Sequence, residues 1–280
     1  MRAVNQPESW WGWHGGNQPE PLSIVQIIQA GTMPPRLAAV FWLGLERGAS
    51  FIFAADPPGS GKTTVLTALL ALAPPDTVAY FTRGWGETFD LPPPDESYPT
   101  YLMVNEMSDH LPVYSWGPYV IRVFELLTED YSLCTTLHAD TVEAVIEQLE
   151  EEVGVPREHL AQLTFVVPLA IVQQDGRTLR RVRDVGLLGP GDGGPGERGL
   201  AMRRIATWDE QRDTFSILED DDATAALAAR LGMEDKALDE ALATREAFLE
   251  RLVADGISSM AAVQEAVDAF RQSTAAGGAP

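Results

Sequence analysis

The 280-residue chain has one cysteine, Cys134, and two lysines, Lys62 and Lys236, among 20 cationic side chains set against 41 carboxylates. A single cysteine excludes an intramolecular disulfide and the usual cysteine-based zinc sites. It lies in an apolar stretch and reads as core filler. A formal net charge of −21 argues against nucleic acid as a partner, since phosphate-backbone binding relies on clustered Lys and Arg. No apolar run approaches the roughly 20 residues of a membrane helix. Met1 to Glu20, with Trp10, Trp11 and Trp13, has no basic-then-apolar secretion signal. These absences predict a cytoplasmic protein.

The acidity has a measurable consequence. An acidic, lysine-poor, alanine-rich balance resembles that of proteins from salt-accumulating organisms, although GC-rich codon usage would produce part of it. Carboxylate repulsion is felt over a Debye length of about 10 Å at 0.1 M salt and about 3 Å at 1 M. The thermal midpoint is therefore expected to rise between about 0.1 and about 2 M KCl, as read by scanning calorimetry. A flat or falling midpoint would count against a salt-adapted origin.

What is present is a chain with 45% hydrophobic residues, enough for one large α/β domain and a smaller appendage. The strongest local signal is Phe51-Ile52-Phe53-Ala54-Ala55-Asp56-Pro57-Pro58-Gly59-Ser60-Gly61-Lys62-Thr63-Thr64, followed by Val65 and Leu66. An apolar strand runs into a glycine-containing loop and then into a helix. Loop N–H groups and the positive helix end suit a polyphosphate, with Gly59, Ser60, Gly61, Lys62, Thr63 and Thr64 as the cradle. Lys62 is expected to neutralise β/γ oxygens and Thr63 to ligate Mg²⁺, making ATP and Mg²⁺ the expected ligands. Asp56 stands where the full pattern has glycine, which costs backbone strain if its φ is positive and opposes phosphate by charge.

Periodicity predicts helices at Leu22–Ile28 and Arg36–Leu45, strand 51–55, helix 61–72, and strands Thr77–Thr82 and Tyr101–Val104. A helix at Tyr119–Leu127 and a strand at Ser132–Leu137 follow, then a helix at Thr141–Glu152 capped by Asp140. The alternation implies a parallel, doubly wound sheet. A hairpin is expected at Thr164–Gln173 with Thr178–Leu188, turned by Asp175-Gly176, and a second at Arg204–Trp208 with Thr214–Leu218. Helices are expected near 222–231, 234–253 and 258–271. The predicted organisation is an irregular lead-in over 1–20, a nucleotide-binding core over 21–188, a glycine-rich linker over 189–199, a hairpin and helical region over 200–272, and a disordered tail over 273–280.

Further segments carry a family resemblance. Tyr101-Leu102-Met103-Val104-Asn105-Glu106 resembles the Walker B strand of the type II/type IV secretion, pilus and archaellum ATPases, and Thr135-Thr136-Leu137-His138-Ala139-Asp140 resembles their histidine box. Gly31-Thr32-Met33-Pro34-Pro35-Arg36 and Arg245 to Gly256 are similar to segments of the archaeal and Tad-pilus branch. The resemblance spans about residues 21 to 272 and implies a RecA-like P-loop core working as an oligomeric ring against a polytopic inner-membrane platform protein. It further implies that Glu106 orients the attacking water and touches Mg²⁺ through water, that His138 senses the γ-phosphate, and that Glu87 belongs to an acidic box. The pattern is divergent. Residues 1–20 stand where the family carries a whole covering domain, Asn105 replaces a glycine, and Ser108 and Gln148 replace arginines. A truncated motor with weak hydrolysis is therefore expected; a degenerate ring partner and an unrelated P-loop kinase are the alternatives.

Overall fold

The computed structural model describes residues 1–5, 20–95, 97–174, 176–191 and 199–277. Among them ten strands make one sheet: β1 (Arg2–Val4), β2 (Phe51–Ala54), β3 (Val78–Phe81), β4 (Thr100–Met103), β5 (Ser132–Leu137), β6 (Phe165–Gln174), β7 (Arg177–Val182), β8 (Asp184–Gly191), β9 (Gly199–Asp209) and β10 (Thr214–Ile217). Their order is β1-β3-β4-β5-β2-β6-β8-β9-β10, with β7 also paired to β6. The run from β1 to β6 is parallel throughout, and the pairs beyond it are antiparallel.

Helices cover both faces of the parallel run, so its strands are apolar on both sides. The helices are α1 (Ile24–Gln29), α2 (Pro35–Glu46), α3 (Lys62–Leu70), α4 (Pro118–Leu127), α5 (Val142–Glu147), α6 (Arg157–Leu160), α7 (Asp221–Arg230), α8 (Asp235–Ala254) and α9 (Met260–Gly277). Alternate residues of β2 separate cleanly. Phe51 and Phe53 face the layer of α1, α2 and α3, while Ile52 and Ala54 face that of α4 and α5.

Helix α2 is apolar nearly all round, from Leu37 to Leu45, because it is packed on two sides. Phe41 meets the rings of Phe51, Phe53 and Phe165 on the sheet, and Trp42 meets Phe248 of α8 and Phe270 of α9. A methyl group at Gly44 would stand 2.8 Å from the Phe165 ring, so this glycine sets how closely α2 approaches β6. The C-terminal helices thus complete the core over α2, using the stripe Leu238, Leu242, Phe248, Leu249 and Leu252. Cys134 is fully buried in the same cluster, and that burial pushes its thiol pKa well up.

Several expectations are corrected. Residues 2–4 are not irregular: they add an edge strand along β3, with the Arg2 N–H donating to Thr77 O at 2.7 Å. Three residues carry too little pattern to be read in isolation. The three tryptophans fall outside the described residues. The helix after β5 is capped by Thr141, whose hydroxyl accepts from the Ala144 N–H, not by Asp140. It widens into a π-helical turn over Gln148–Val153 and stops at Gly154, with φ 85°. The strand expected over 178–188 is broken at Arg183 into β7 and β8, a one-residue irregularity that lets both pair with β6. Gly189–Gly191 and Gly199, expected as linker, are paired strand residues, with Gly191 opposite Gly199; 192–198 lie outside the described residues. Residues 273–277 continue α9, the Ser273 and Thr274 hydroxyls donating back to Phe270 O.

The β7 strand is tied down by Arg181. Its buried guanidinium gives Asp213 two hydrogen bonds, at 2.7 and 2.8 Å, and donates a third to Ala30 O. The Arg181 bonds, opposed by partial desolvation and helped by the Trp208 indole N–H, hold the Asp213 carboxyl down at about 2. A depressed folded value means that the stabilisation is complete above the unfolded value of about 3.9 and disappears as pH falls through the folded one. Asp213→Asn, which tolerates the residue's φ of 51°, is expected to lower the urea midpoint at pH 7. The variant and wild type should converge near pH 2; an equal gap at both pH values would contradict the clamp.

Candidate functional site

Strand β2 hands the chain to α3 on one face of the sheet, and the neighbouring β5 hands it to α5 on the other. A crevice must open between the carboxyl ends of two strands whose connections part in this way, and α/β sheets bind ligands there. The cleft has a volume of about 420 Å³ and is lined by Pro58 to Thr64, Glu106, His110, Leu111, Tyr114 and His138.

The loop from β2 turns through Gly59 at φ 75° and Gly61 at φ 96°, values that disfavour any side chain. Gly61 is also the N-cap of α3. The first four N–H groups of a helix lack intrahelical partners, so the start of α3 presents donors to the cleft. Ser60 and Lys62 are buried, Thr63 is half-buried and Thr64 exposed. Lys62 donates from Nζ to Ala55 O at 2.7 Å. Burial lowers its pKa, and the carboxylates of Glu106, Asp56 and Asp140 act in the opposite sense. An ammonium held at a desolvation cost beside helix N–H groups is a site prepared for an anion.

Asp56 does not take a positive φ, so the strain that glycine would relieve at this position is absent. Its backbone is a junction instead. The Asp56 N–H donates to Asp140 Oδ1 at 3.1 Å, and its carbonyl accepts from His138 Nδ1 at 2.9 Å. A carbonyl can only accept, so Nδ1 carries hydrogen and Nε2 is turned towards Glu106 Oε1, 3.3 Å away.

Glu106 is placed by the end of β5. Thr136 Oγ1 donates to Asn105 O at 3.2 Å, and Thr136 O accepts the Met107 N–H at 2.9 Å. Glu106 Oε1 accepts from Ser108 Oγ at 3.1 Å. Among the described residues no hydrogen-bond partner stands at Oε2. One carboxylate oxygen is thus anchored, and the other is available to a water.

Gly59 to Thr64, Glu106 and His138 therefore meet in one cleft. Glu87 does not line it. Its Oε1 accepts from Tyr80 Oη at 2.8 Å and from the Phe89 N–H, and its Oε2 accepts the Arg83 N–H at 2.7 Å. Burial and this carboxylate push Tyr80 up to about 12. Glu87 thereby closes the turn after β3.

Two residues of the site carry no sequence signal of their own. Arg180 on β7 donates from Nε to Gly59 O at 2.9 Å and lies 3.3 Å from where a Gly61 methyl would stand. It is a cationic group delivered to the loop from 121 positions away. The cluster Arg177, Arg180, Arg181 and Arg183 was the available hint in an otherwise acidic chain. His110 reaches the cleft from the segment after β4, its ring 5.9 Å from that of His138.

No family model matches the chain. Two uncharacterized proteins of Methanocaldococcus jannaschii are similar to it. One is 24% identical over 253 residues, covering 81% of this chain and 90% of the relative. The other is 27% identical over 286 residues, covering 89% of this chain but only 49% of the relative, so the chain spans about half of that protein's length. Among solved structures, the VirB11 ATPase of the Brucella suis type IV secretion system, in complex with sulphate, aligns at 18% identity and TM-score 0.39 over 59% of each chain. The Legionella pneumophila ATPase DotB aligns at 12% identity and TM-score 0.37, over 84% of this chain and 58% of that one. Both superpositions are too loose to assign a fold.

Proposed function

We propose that the chain is a RecA-like nucleotide-binding domain of the secretion, pilus and archaellum ATPase type, which binds Mg-ATP in this cleft and hydrolyses it slowly when alone. The observation that carries the reading is the strand order β3-β4-β5-β2-β6: it sets the glycine loop, Glu106 and His138 on the ends of three consecutive strands, facing one opening. The residues fit the ligand. Nothing lies within 4 Å of where a methyl would stand on Gly59, so the loop backbone is open to a phosphate. Mg²⁺ would supply charge neutralisation for the phosphates, and Thr63, with Glu106 through a water, would hold it. Lys62 leaves Ala55 O for phosphate, and the free oxygen of Glu106 accepts a proton-bearing water. His138, fastened to the Asp56 carbonyl, couples any movement of the loop to Glu106.

Weak turnover follows from the charges. Glu106, Asp56 and Asp140 surround Lys62, and the additional cation placed on the loop is Arg180, engaged with a carbonyl. An arginine aimed at the transition state is worth about 10³–10⁵ in rate. The same shortage favours a second reading, a ring partner that receives or lends residues across a subunit boundary. An oligomeric ring and a polytopic membrane platform remain part of the proposal; among the described residues no helix is long and apolar enough to cross a membrane.

Steady-state phosphate release by wild type and Glu106→Gln, each alone and mixed with a full-length ATPase of the same organism, tests the reading. Slow turnover by the wild type, little changed by Glu106→Gln, is expected. Robust turnover that collapses in Glu106→Gln would restore an autonomous motor, and stimulation only in the mixture would establish the ring partner. Failure to bind Mg-ATP at millimolar concentration would remove the proposal.

A further inference from the structure

We propose that Glu106, His110 and His138 form a binding site for a transition-metal dication, zinc above all, at the mouth of the cleft. One ligand atom from each residue lies within 4.8 Å of the others. Two imidazoles and a carboxylate are the donor set of zinc, cobalt or nickel and a poor one for magnesium, which takes oxygen ligands.

The geometry is already prepared at two of the three positions. His138 gives its Nδ1–H to the Asp56 carbonyl, and its Nε2 faces Glu106 Oε1. A backbone carbonyl that fixes the tautomer and plane of a histidine is the usual outer partner of a metal-bound imidazole. Ser108 plays the corresponding part for Glu106 by donating to Oε1. The gap between Nε2 of His138 and Oε1 of Glu106 is 3.3 Å. Two ligands bound at about 2.0–2.1 Å to a tetrahedral zinc lie about 3.3 Å apart, so the spacing of these two atoms already matches that of a zinc-bound pair.

His110 supplies the third position by rotation. Its side chain is 67% exposed, and Asp109 Oδ1, 3.9 Å from its Nε2, is too distant to hold it by a hydrogen bond. The fourth position opens into the cleft beside Ser60, Lys62 and Thr63, where water or a phosphate oxygen would complete the shell. The site needs no nucleotide to form. It does, however, use the same carboxylate and imidazole that the nucleotide reading assigns to water and γ-phosphate, so zinc occupancy and hydrolysis exclude each other. The chemistry is that of a metal-controlled block on the cleft.

The test uses tag-free, nucleotide-free protein titrated with Co²⁺ and followed by visible absorption, with Zn²⁺ affinity measured by competition against a chromophoric chelator. One equivalent of cobalt with a strong tetrahedral spectrum is expected, displaced by zinc and unaffected by excess Mg²⁺. His110→Ala should weaken zinc binding by at least about 10-fold, and because His110 is exposed the variant keeps the fold. His159→Gln, remote on α6, should bind as wild type does. Lys62→Ala should retain the metal while losing nucleotide, so the failure of either proposal is read separately. Sub-stoichiometric cobalt, an octahedral spectrum, or equal zinc affinity in wild type and His110→Ala would overturn the site.

Discussion

Lys62→Ala is expected to weaken Mg-ATP binding on the order of 100-fold by titration calorimetry. The loss is large because the variant removes the ammonium and leaves Glu106, Asp56 and Asp140 facing the phosphates. The same substitution should not lower the thermal midpoint of the ligand-free protein. Burial pulls the folded pKa of Lys62 below its usual value, so at neutral pH the charged ammonium works against folding, and removing it relieves that cost. Ligand affinity and ligand-free stability therefore move independently. Equal calorimetric titrations in wild type and variant would show that the loop does not hold phosphate. A collapse of the ligand-free midpoint would show that Lys62 is instead a structural strut through Ala55.

The second large effect lies away from the cleft. Glu46, at the end of α2, accepts from the Trp42 indole N–H at 2.8 Å, from Arg245 through Nε and Nη2, and from Arg271 Nε at 3.2 Å. Arg245 also sits 5.3 Å over the Trp42 ring, a cation–π contact. All three charged side chains are mostly buried, with exposures of 15%, 16% and 19%. Glu46→Ala takes the shared carboxylate from two mostly buried guanidinium groups, leaving Arg245 over the Trp42 ring and Arg271 with Leu72 O and Asp268, and is expected to cost on the order of 3 kcal/mol, read as a fall in the urea midpoint. Glu46→Gln keeps the shape and acceptor oxygen but not the charge and should lose less. Mg-ATP affinity measured well below the midpoint should be unchanged in both, since the clamp joins α2 to α8 and α9 and does not reach the loop. An unaltered midpoint in Glu46→Ala would mean that aromatic packing alone holds the C-terminal helices.

The parts of this protein legible in its sequence are those whose cause is local. The strand Phe51–Ala54, the turn through Gly59 and Gly61 and the helix from Lys62 are contiguous, and backbone conformation and apolar spacing dictate them without outside help. The placement of Glu106 and His138 at strand ends was legible for a related reason. Each ends a short apolar strand, and a parallel sheet gathers strand ends on one edge. The helix over 36–45 was legible from its apolar spacing, although its burial on two sides and the helices that provide it were not.

Tertiary structure alone decided the rest. Arg180 meets Gly59 because the irregularity at Arg183 lets β7 pair along the outer half of β6, and register over such a distance leaves no periodic trace. Arg181 finds Asp213, and Glu46 finds Arg245 and Arg271, only when elements far apart in sequence are brought side by side. Glu87 was drawn away from the cleft by three donors in the turn after β3. The edge strand Arg2–Val4 exists because β3 offers an unpaired edge, not because three residues prefer extension. Charge and local pattern were therefore set by composition and order. Which cation serves the loop, which carboxylate faces the cleft and what His138 leans on were set by long-range pairing, since side-chain contacts follow from the relative placement of whole elements.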